Sequence, residues 1–436
     1  MTPQASEPVV LRAEGDHYLE PWLTPQSDAM QGIITEVIYQ LEKYEEVYRL
    51  RKRKRKTADK ESMEQAVTSL ICAATVHFLS QRTGGLKVSR SHRSLRKGRY
   101  KTPLHTSKLG DFLNALSAPE IPWLNQVLGV QTSASNAPVT TITAGERLIE
   151  RIREHGITRE DVIRGEGGEL IELREPKGAR SESRGKLMDY PETDQTRAWR
   201  RQMQEINRFL MKAELSIEGA VGTDIWDRRL RRVFNNGDFE QGGRLYGGFW
   251  QPMRKVERFR HLRIADKPVI ELDYGQVATT ILYGRNGLEV PEGDLYAIEG
   301  KAYPRKGMKR VLNALLYTSE PLTTWPNDTV DLFRDPDSGE HPPFRDVKEA
   351  LIEKHSSISS FFETGEGMRI MFLESQILID VLESLRVEGI SALPIHDAIL
   401  VAKGHEDLAK KAMEDSFLKV TGVTPKVTLE HQAQDS

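Results

Sequence analysis

Two stretches, Lys267–Gly284 (KPVIELDYGQVATTILYG) and Gly389–Ala402 (GISALPIHDAILVA), decide the fold. In the first, the apolar residues Val269, Ile270 and Leu272 predict a strand ending at Asp273, followed by residues able to start a helix. The second reads as strand, tight turn, strand, with His396-Asp397 at the turn. Each aspartate alone has an ordinary explanation, since Asp favours turns by bonding its own backbone. Between them lies Ala302–Thr318, AYPRKGMKRVLNALLYT. Pro304 suits the start of a helix, and Arg305 and Lys309, four apart, share a face that continues through Leu312, Leu316 and Tyr317. An exposed basic helix is one reading. The other is nucleoside triphosphate chemistry, which needs cations for a leaving pyrophosphate and two aspartates holding metal ions ~3.5–4 Å apart.

In order and spacing these segments resemble the palm and fingers of family A DNA polymerases and the single-subunit phage and mitochondrial RNA polymerases. The family's D-Y-S-Q-I-E motif stands here as Asp273-Tyr274-Gly275-Gln276-Val277-Ala278, its R-x-x-x-K…Y motif as Arg305, Lys309 and Tyr317, and its His-Asp turn as His396-Asp397. Upstream, GGRLYGGFWQP at Gly242–Pro252 is similar to the G-R-L segment preceding the first motif, with Arg244 as its arginine. The resemblance runs from about Arg231 to Glu430. It implies an α+β fold: a polymerase-like right hand with an antiparallel-sheet palm and helical fingers, joined to a mostly helical, basic N-terminal region.

It further implies that Asp273 and Asp397 coordinate two Mg2+ ions, with Mn2+ as a substitute, while Arg305 and Lys309 bind triphosphate. Tyr317, Asn313, Gln276 and Ala278 would lie around the incoming nucleotide. Arg244, with Tyr246 and Gln251 of its segment, would touch primer or template, and His396 would support the primer terminus. The departures are Ala278 and Ala398, where the DNA enzymes carry glutamates, and Asn313, where a large apolar residue is common. Loss of the first glutamate removes a barrier to the ribose 2′-hydroxyl. The expected enzyme is therefore a primase-polymerase with weak sugar discrimination and no proofreading, acting on a DNA template and primer with nucleoside triphosphates. Two alternatives stay open: an inert DNA-binding protein with a decayed polymerase fold, and a mobile-element replication or defence factor working with a partner helicase or other protein.

Charge distribution gives independent support. The net charge is only −2, yet residues 1–260 hold 43 Lys+Arg against 35 Asp+Glu, and residues 261–436 hold 19 against 29. A basic half beside an acidic half suits a protein that holds a polyanion with one part and gathers carboxylates in the other. Seven of the eight residues from Arg49 to Lys56, Arg53 among them, are basic, and a second acid-free run includes Arg90, Arg93 and Arg96. Both are candidate phosphate contacts, with a solvated helix face as the plain alternative. A single cysteine, Cys72, excludes a disulfide framework and a four-cysteine zinc site. With no leader pattern and no apolar run long enough to span a bilayer, a cytoplasmic protein without a membrane partner is expected. The expected organisation is a mobile arm over 1–27, a basic helical nucleic-acid-binding region over 28–140, linker and thumb-like helices over 141–230, and a palm over 231–436 with fingers inserted at about 290–345.

Overall fold

The stripe Met30, Ile33, Ile34, Val37 and Leu41 is buried along the helix Asp28–Val47, which starts where the Ser27 hydroxyl accepts a hydrogen bond from the Met30 amide at 3.2 Å. It packs on the helix Thr57–Leu79, which is apolar on nearly every side from Met63 to Val76 and so runs through the middle of its core. The computed structural model describes residues 9–10, 15–51, 53–90, 98–129, 139–177 and 185–431. These form two units, Met1–Glu169 with Ile217–Trp226, and Leu170–Ser216 with Asp227–Ser436. The sequence reading instead placed boundaries at 140 and 230.

In the first unit, a four-stranded sheet of order His17–Tyr18, Leu86–Lys87, Thr141–Ala144, Leu124–Val127 joins the helices. Two segments expected within a mobile arm are paired: His17–Tyr18 lies beside Leu86–Lys87 and Leu23–Pro25 beside Val162–Arg164. The indole of Trp22 fills the space over Gly167, where an added Cβ would stand 2.1 Å from the ring. Short strands thus accompany the helices of this region, which carry most of its regular structure. The basic run is not a helix face: Arg49 has φ 52°, and the helix resumes only at Thr57. Arg55 turns inward to pair with Glu45 at 2.5 Å, both side chains buried. Arg90 donates to the Gln126 side chain at 3.0 Å. Arg53 is exposed, and Arg93 and Arg96 lie outside the described residues.

Among the described residues, the second unit holds two sheets. The larger has the order Leu215–Ile217, Leu262–Ile264, Lys267–Gly275, Ala398–Ala402, Leu393–Ile395, and Lys426–Glu430 also pairs with Lys267–Gly275. The Lys267–Gly275 strand is antiparallel to each of Leu262–Ile264, Ala398–Ala402 and Lys426–Glu430. Its period of two sends Tyr274 to one face, where the hydroxyl donates to the Met413 carbonyl at 2.7 Å in the helix Glu406–Thr421. Glu271 and Asp273 point to the other face.

The second sheet runs Asp238–Gly247, Leu230–Asn235, Ile171–Arg174, Leu187–Met188. The long helix Gly367–Val387 packs against its first strand and against Glu406–Thr421. The register shifts at Val233/Phe234 and again at Phe234/Asn235, where Gly242 and Gly243 take φ of 82° and 79°. The sequence suggests that these glycines let backbone approach nucleic acid. They are packed inward instead: a Cβ on Gly243 would stand 2.7 Å from the Ser375 hydroxyl. Arg232 lies beneath the bulge, fully buried, with its guanidinium over the Trp199 and Phe234 rings at 5.0 and 4.9 Å. Burial pushes its pKa down to about 9. Among the described residues no helix is long and apolar enough to cross a membrane.

Candidate active site

Asp273 stands opposite Ala398 on one neighbouring strand and Thr428 on the other. Ile395 pairs with Ala398, so His396 and Asp397 are the two central residues of a tight hairpin, and His396 takes the left-handed φ of 56° that such a turn demands. Asp397 therefore sits one residue from the position facing Asp273, and the two carboxylates feel each other. Burial first, then the charges of Asp397 and Glu271, push the Asp273 carboxyl up to about 7, against the opposing pull of Lys309 and Lys255.

Behind the turn, Trp250 is fully buried and donates its indole N–H to the Pro394 carbonyl at 3.0 Å. Gln251 gives its amide to the Leu245 and Pro394 carbonyls at 3.1 and 3.0 Å and accepts from the Gly247 amide at 3.0 Å. Its side chain thus ties the hairpin to the Asp238–Gly247 strand, which differs from the nucleic-acid contact expected of it. The Tyr246 ring meets His396 edge-on, centroids 6.3 Å apart.

The bulge that Gly243 makes possible aims Arg244 at Glu374 of the long helix, an ion pair of 2.7 Å with Glu374 only 3% exposed. Burial disfavours the Arg244 charge, and Glu374, with Tyr317 and Asp397, more than restores it. Glu374 itself is raised to about 7, chiefly by burial, with Arg244 opposing and Asp397 and Asp273 adding to the rise. Tyr317 ends the helix Arg305–Tyr317 against Gly367, where an added Cβ would be 2.6 Å from its ring. Arg244, Glu374, Tyr317, Asp397 and Asp273 thus form one electrostatically connected cluster.

On the Arg305–Tyr317 helix, Met308, Val311, Leu312, Leu315 and Leu316 are buried, leaving Arg305 and Lys309 exposed and Asn313 part-buried one turn on. Arg305 donates through Nε to Asp294 at 2.7 Å and stacks over the Tyr296 ring at 5.1 Å. Gln276, at φ 61°, begins the helix Val277–Arg285 and accepts from the Leu295 amide, while Ala278 lies part-buried in that helix's first turn. Arg53 and Arg90 belong to the other unit.

Three groups escaped the sequence reading. Glu271 shares the strand face of Asp273 and is neutralised by Arg258 at 3.0 Å and Lys255 at 2.8 Å, a neighbour that the two-residue period alone could have flagged. Asp294 and Lys426 line a cavity of about 430 Å³ with Gln276, Gly293 and Arg305. Neither stands in a motif.

Among the described residues, no group of three or more His, Cys, Asp or Glu forms a metal cage. Two hard carboxylates that repel each other beside a basic helix do fit Mg2+, which is commonly held by one or two carboxylates and completed by substrate phosphate oxygens.

No protein-family model matches the chain, and no curated protein matches it. Among solved structures it is similar to the POL domain of Pol1 from M. smegmatis in complex with DNA primer-template and dNTP, at 10% identity and a TM-score of 0.31, over 92% of this chain and 80% of that one. A likeness of that size fixes neither fold nor activity, and the functional reading rests on the geometry of the site.

Proposed function

We propose that the protein is a template-directed nucleotidyltransferase, of a polymerase-like right-hand build, that joins nucleoside triphosphates to a strand paired with DNA. One observation carries the reading: Asp273 at the end of its strand and Asp397 in the adjoining hairpin turn are held within electrostatic reach of each other, so that burial together with the Asp397 charge raises Asp273 to about 7, with the exposed cation Lys309 also in reach. A merely structural sheet gains nothing from holding that repulsion, whereas a site that must receive cations and phosphates does. This favours an enzyme over an inert binding protein.

In the reaction, a strand's 3′-hydroxyl gives up its proton to water and its oxygen forms a bond to the α-phosphorus while the bond to the bridging oxygen breaks and pyrophosphate leaves. Bound Mg2+ would supply charge stabilisation to the attacking and leaving oxygens. Asp273 and Asp397 would hold it. Lys309 and Arg305 orient the triphosphate and stabilise charge on the departing pyrophosphate, so most of the rate comes from positioning and electrostatics. Arg244, pinned by Glu374, and Tyr246 with His396 face the strand terminus. Ala278 offers only a methyl group beside the sugar, so ribo- and deoxynucleotides are both accepted; a preference for deoxynucleotides above about 10³-fold, ~4 kcal/mol, would overturn that part. Exposed Arg53 and Lys54 contribute phosphate contacts, giving a salt slope that falls when they are neutralised.

The test is synthesis on single-stranded DNA, with and without primer, using labelled ribo- or deoxynucleotides and Mg2+ or Mn2+, beside Asp397→Asn. Products absent from the variant support the reading, and primer-free products make the protein a primase-polymerase. A wild-type protein inactive on every template, sugar and metal refutes it.

A further inference from the structure

We infer that Lys426 is a third cation of the triphosphate subsite, and that Asp294 is an internal anion that occupies Arg305 until a polyphosphate takes its place. This rests on the nucleotidyltransferase reading and assigns two residues outside every motif of the sequence.

Lys426 is placed by sheet register. It pairs with Gly275, two residues beyond Asp273, and therefore lies on the same sheet face as that carboxylate. Its stem crosses Gly275, with Cβ and Cγ both 3.6 Å from where a Cβ on that glycine would stand, so a long side chain at 275 would push the stem aside. The stem leads into the cavity of about 430 Å³ that Arg305 lines from the opposite element. Two cations facing one cavity, with Arg305 at the first turn of its helix, make a local excess of positive charge suited to a chain of phosphates.

Asp294 is held in place, unlike a mobile surface acid. Gln276 takes the Leu295 amide, His355 Nε2 lies 2.9 Å from the Leu295 carbonyl, and Lys354 reaches the carbonyls of Asp294 and Ala297 at 3.2 and 2.5 Å. One carboxylate oxygen of Asp294 accepts the Tyr296 amide at 3.1 Å, and the other accepts Arg305 Nε at 2.7 Å. The second bond has the donor geometry that a phosphate oxygen would use. Asp294 thus keeps Arg305 oriented in the free protein and competes with phosphate for it.

The test is calorimetric binding of inorganic tripolyphosphate in Mg2+ buffer to the full chain, run beside primer extension for nucleotide KM. Lys426→Ala should weaken tripolyphosphate and raise KM about tenfold with little change in kcat, Lys426→Arg should restore both, and Asp294→Asn should tighten binding about fivefold. Lys410→Ala, on the exposed side of the Glu406–Thr421 helix, controls for loss of one surface charge and should change nothing. Lys426 is exposed, so unchanged melting is expected. Binding and extension that are indifferent to Lys426 and Asp294 overturn the inference while leaving the enzyme reading intact. Tripolyphosphate binding that responds to both residues without any extension upholds the subsite and sinks the polymerase reading instead. No binding by the wild type overturns the inference.

Discussion

Replacing Asp273 with Asn should abolish nucleotide transfer and, without divalent metal, make the protein more stable. The Asp273 carboxyl is raised from an ordinary 3.8 to about 7 by burial and by Asp397 and Glu271. Its folded pKa lies above its unfolded one, so the stability linked to the neutral form is complete below about pH 4 and is lost as the pH climbs to about 7. About three pK units at 1.36 kcal/mol each set an upper bound of about 4 kcal/mol. Partial exposure of the side chain admits solvent screening and reduces this to about 2 kcal/mol. Asparagine cannot ionise, so the variant and wild type should melt together near pH 4, and the variant should melt about 4–8 °C higher at pH 8. Millimolar Mg2+ should raise the wild-type melting temperature and narrow the gap, because a ligand bound only to the folded state stabilises it by mass action. Melts at pH 4, 6 and 8, with EDTA or Mg2+, measure all of this. A gap that does not change with pH, or a variant less stable than wild type at pH 8, refutes the account of the paired carboxylates.

Lys309→Ala should lower kcat/KM for nucleotide addition by about 10²–10³ with unchanged melting, since the side chain is exposed; a rate within threefold of wild type in single-turnover extension would remove Lys309 from the site. Glu374→Gln leaves the part-buried Arg244 without its charged partner and should cost about 1–3 kcal/mol in urea unfolding. Arg244→Ala should cost less at pH 5.5 than at pH 8, because Glu374, already raised to about 7, can protonate once its partner is gone; equal costs at both pH values would contradict this. Gly367→Ala places a Cβ 2.6 Å from the Tyr317 ring and should destabilise by about 1–3 kcal/mol while raising nucleotide KM, readable by urea melts and steady-state extension.

The elements that carry Asp273, Asp397, Arg305 and Lys309 were legible in the sequence because each has a local signature. An apolar run ends at a carboxylate, a two-residue turn separates two apolar runs, and a proline precedes a four-residue basic spacing. What stayed hidden depends on partners distant in sequence. Nothing around Gln251 shows that its amide will tie down Pro394, and Arg55 resembles its neighbours until Glu45 is seen to bury it. Residues 17–25 read as a polar arm because their pairing strands are two or three residues long and too short to show a period. Lys426 escaped because one lysine in an alternating segment carries no signal until its register with Gly275 is known.

The strand Lys426–Glu430, which flanks Asp273, has a consequence for how the protein is made. At roughly 5–20 residues per second, about 10–30 s pass between synthesis of Gly275 and of Glu430. Throughout that interval the nascent Asp273 lacks one of its two neighbouring strands, and for most of it lacks Asp397 as well. The ribosome thus releases the Asp273 and Asp397 carboxylates in an order that postpones their repulsion. The larger sheet of the second unit can close only after translation has passed its last strand, so a ribosome stalled in the helix Glu406–Thr421 would hold a chain with both carboxylates made and the site still open along one edge.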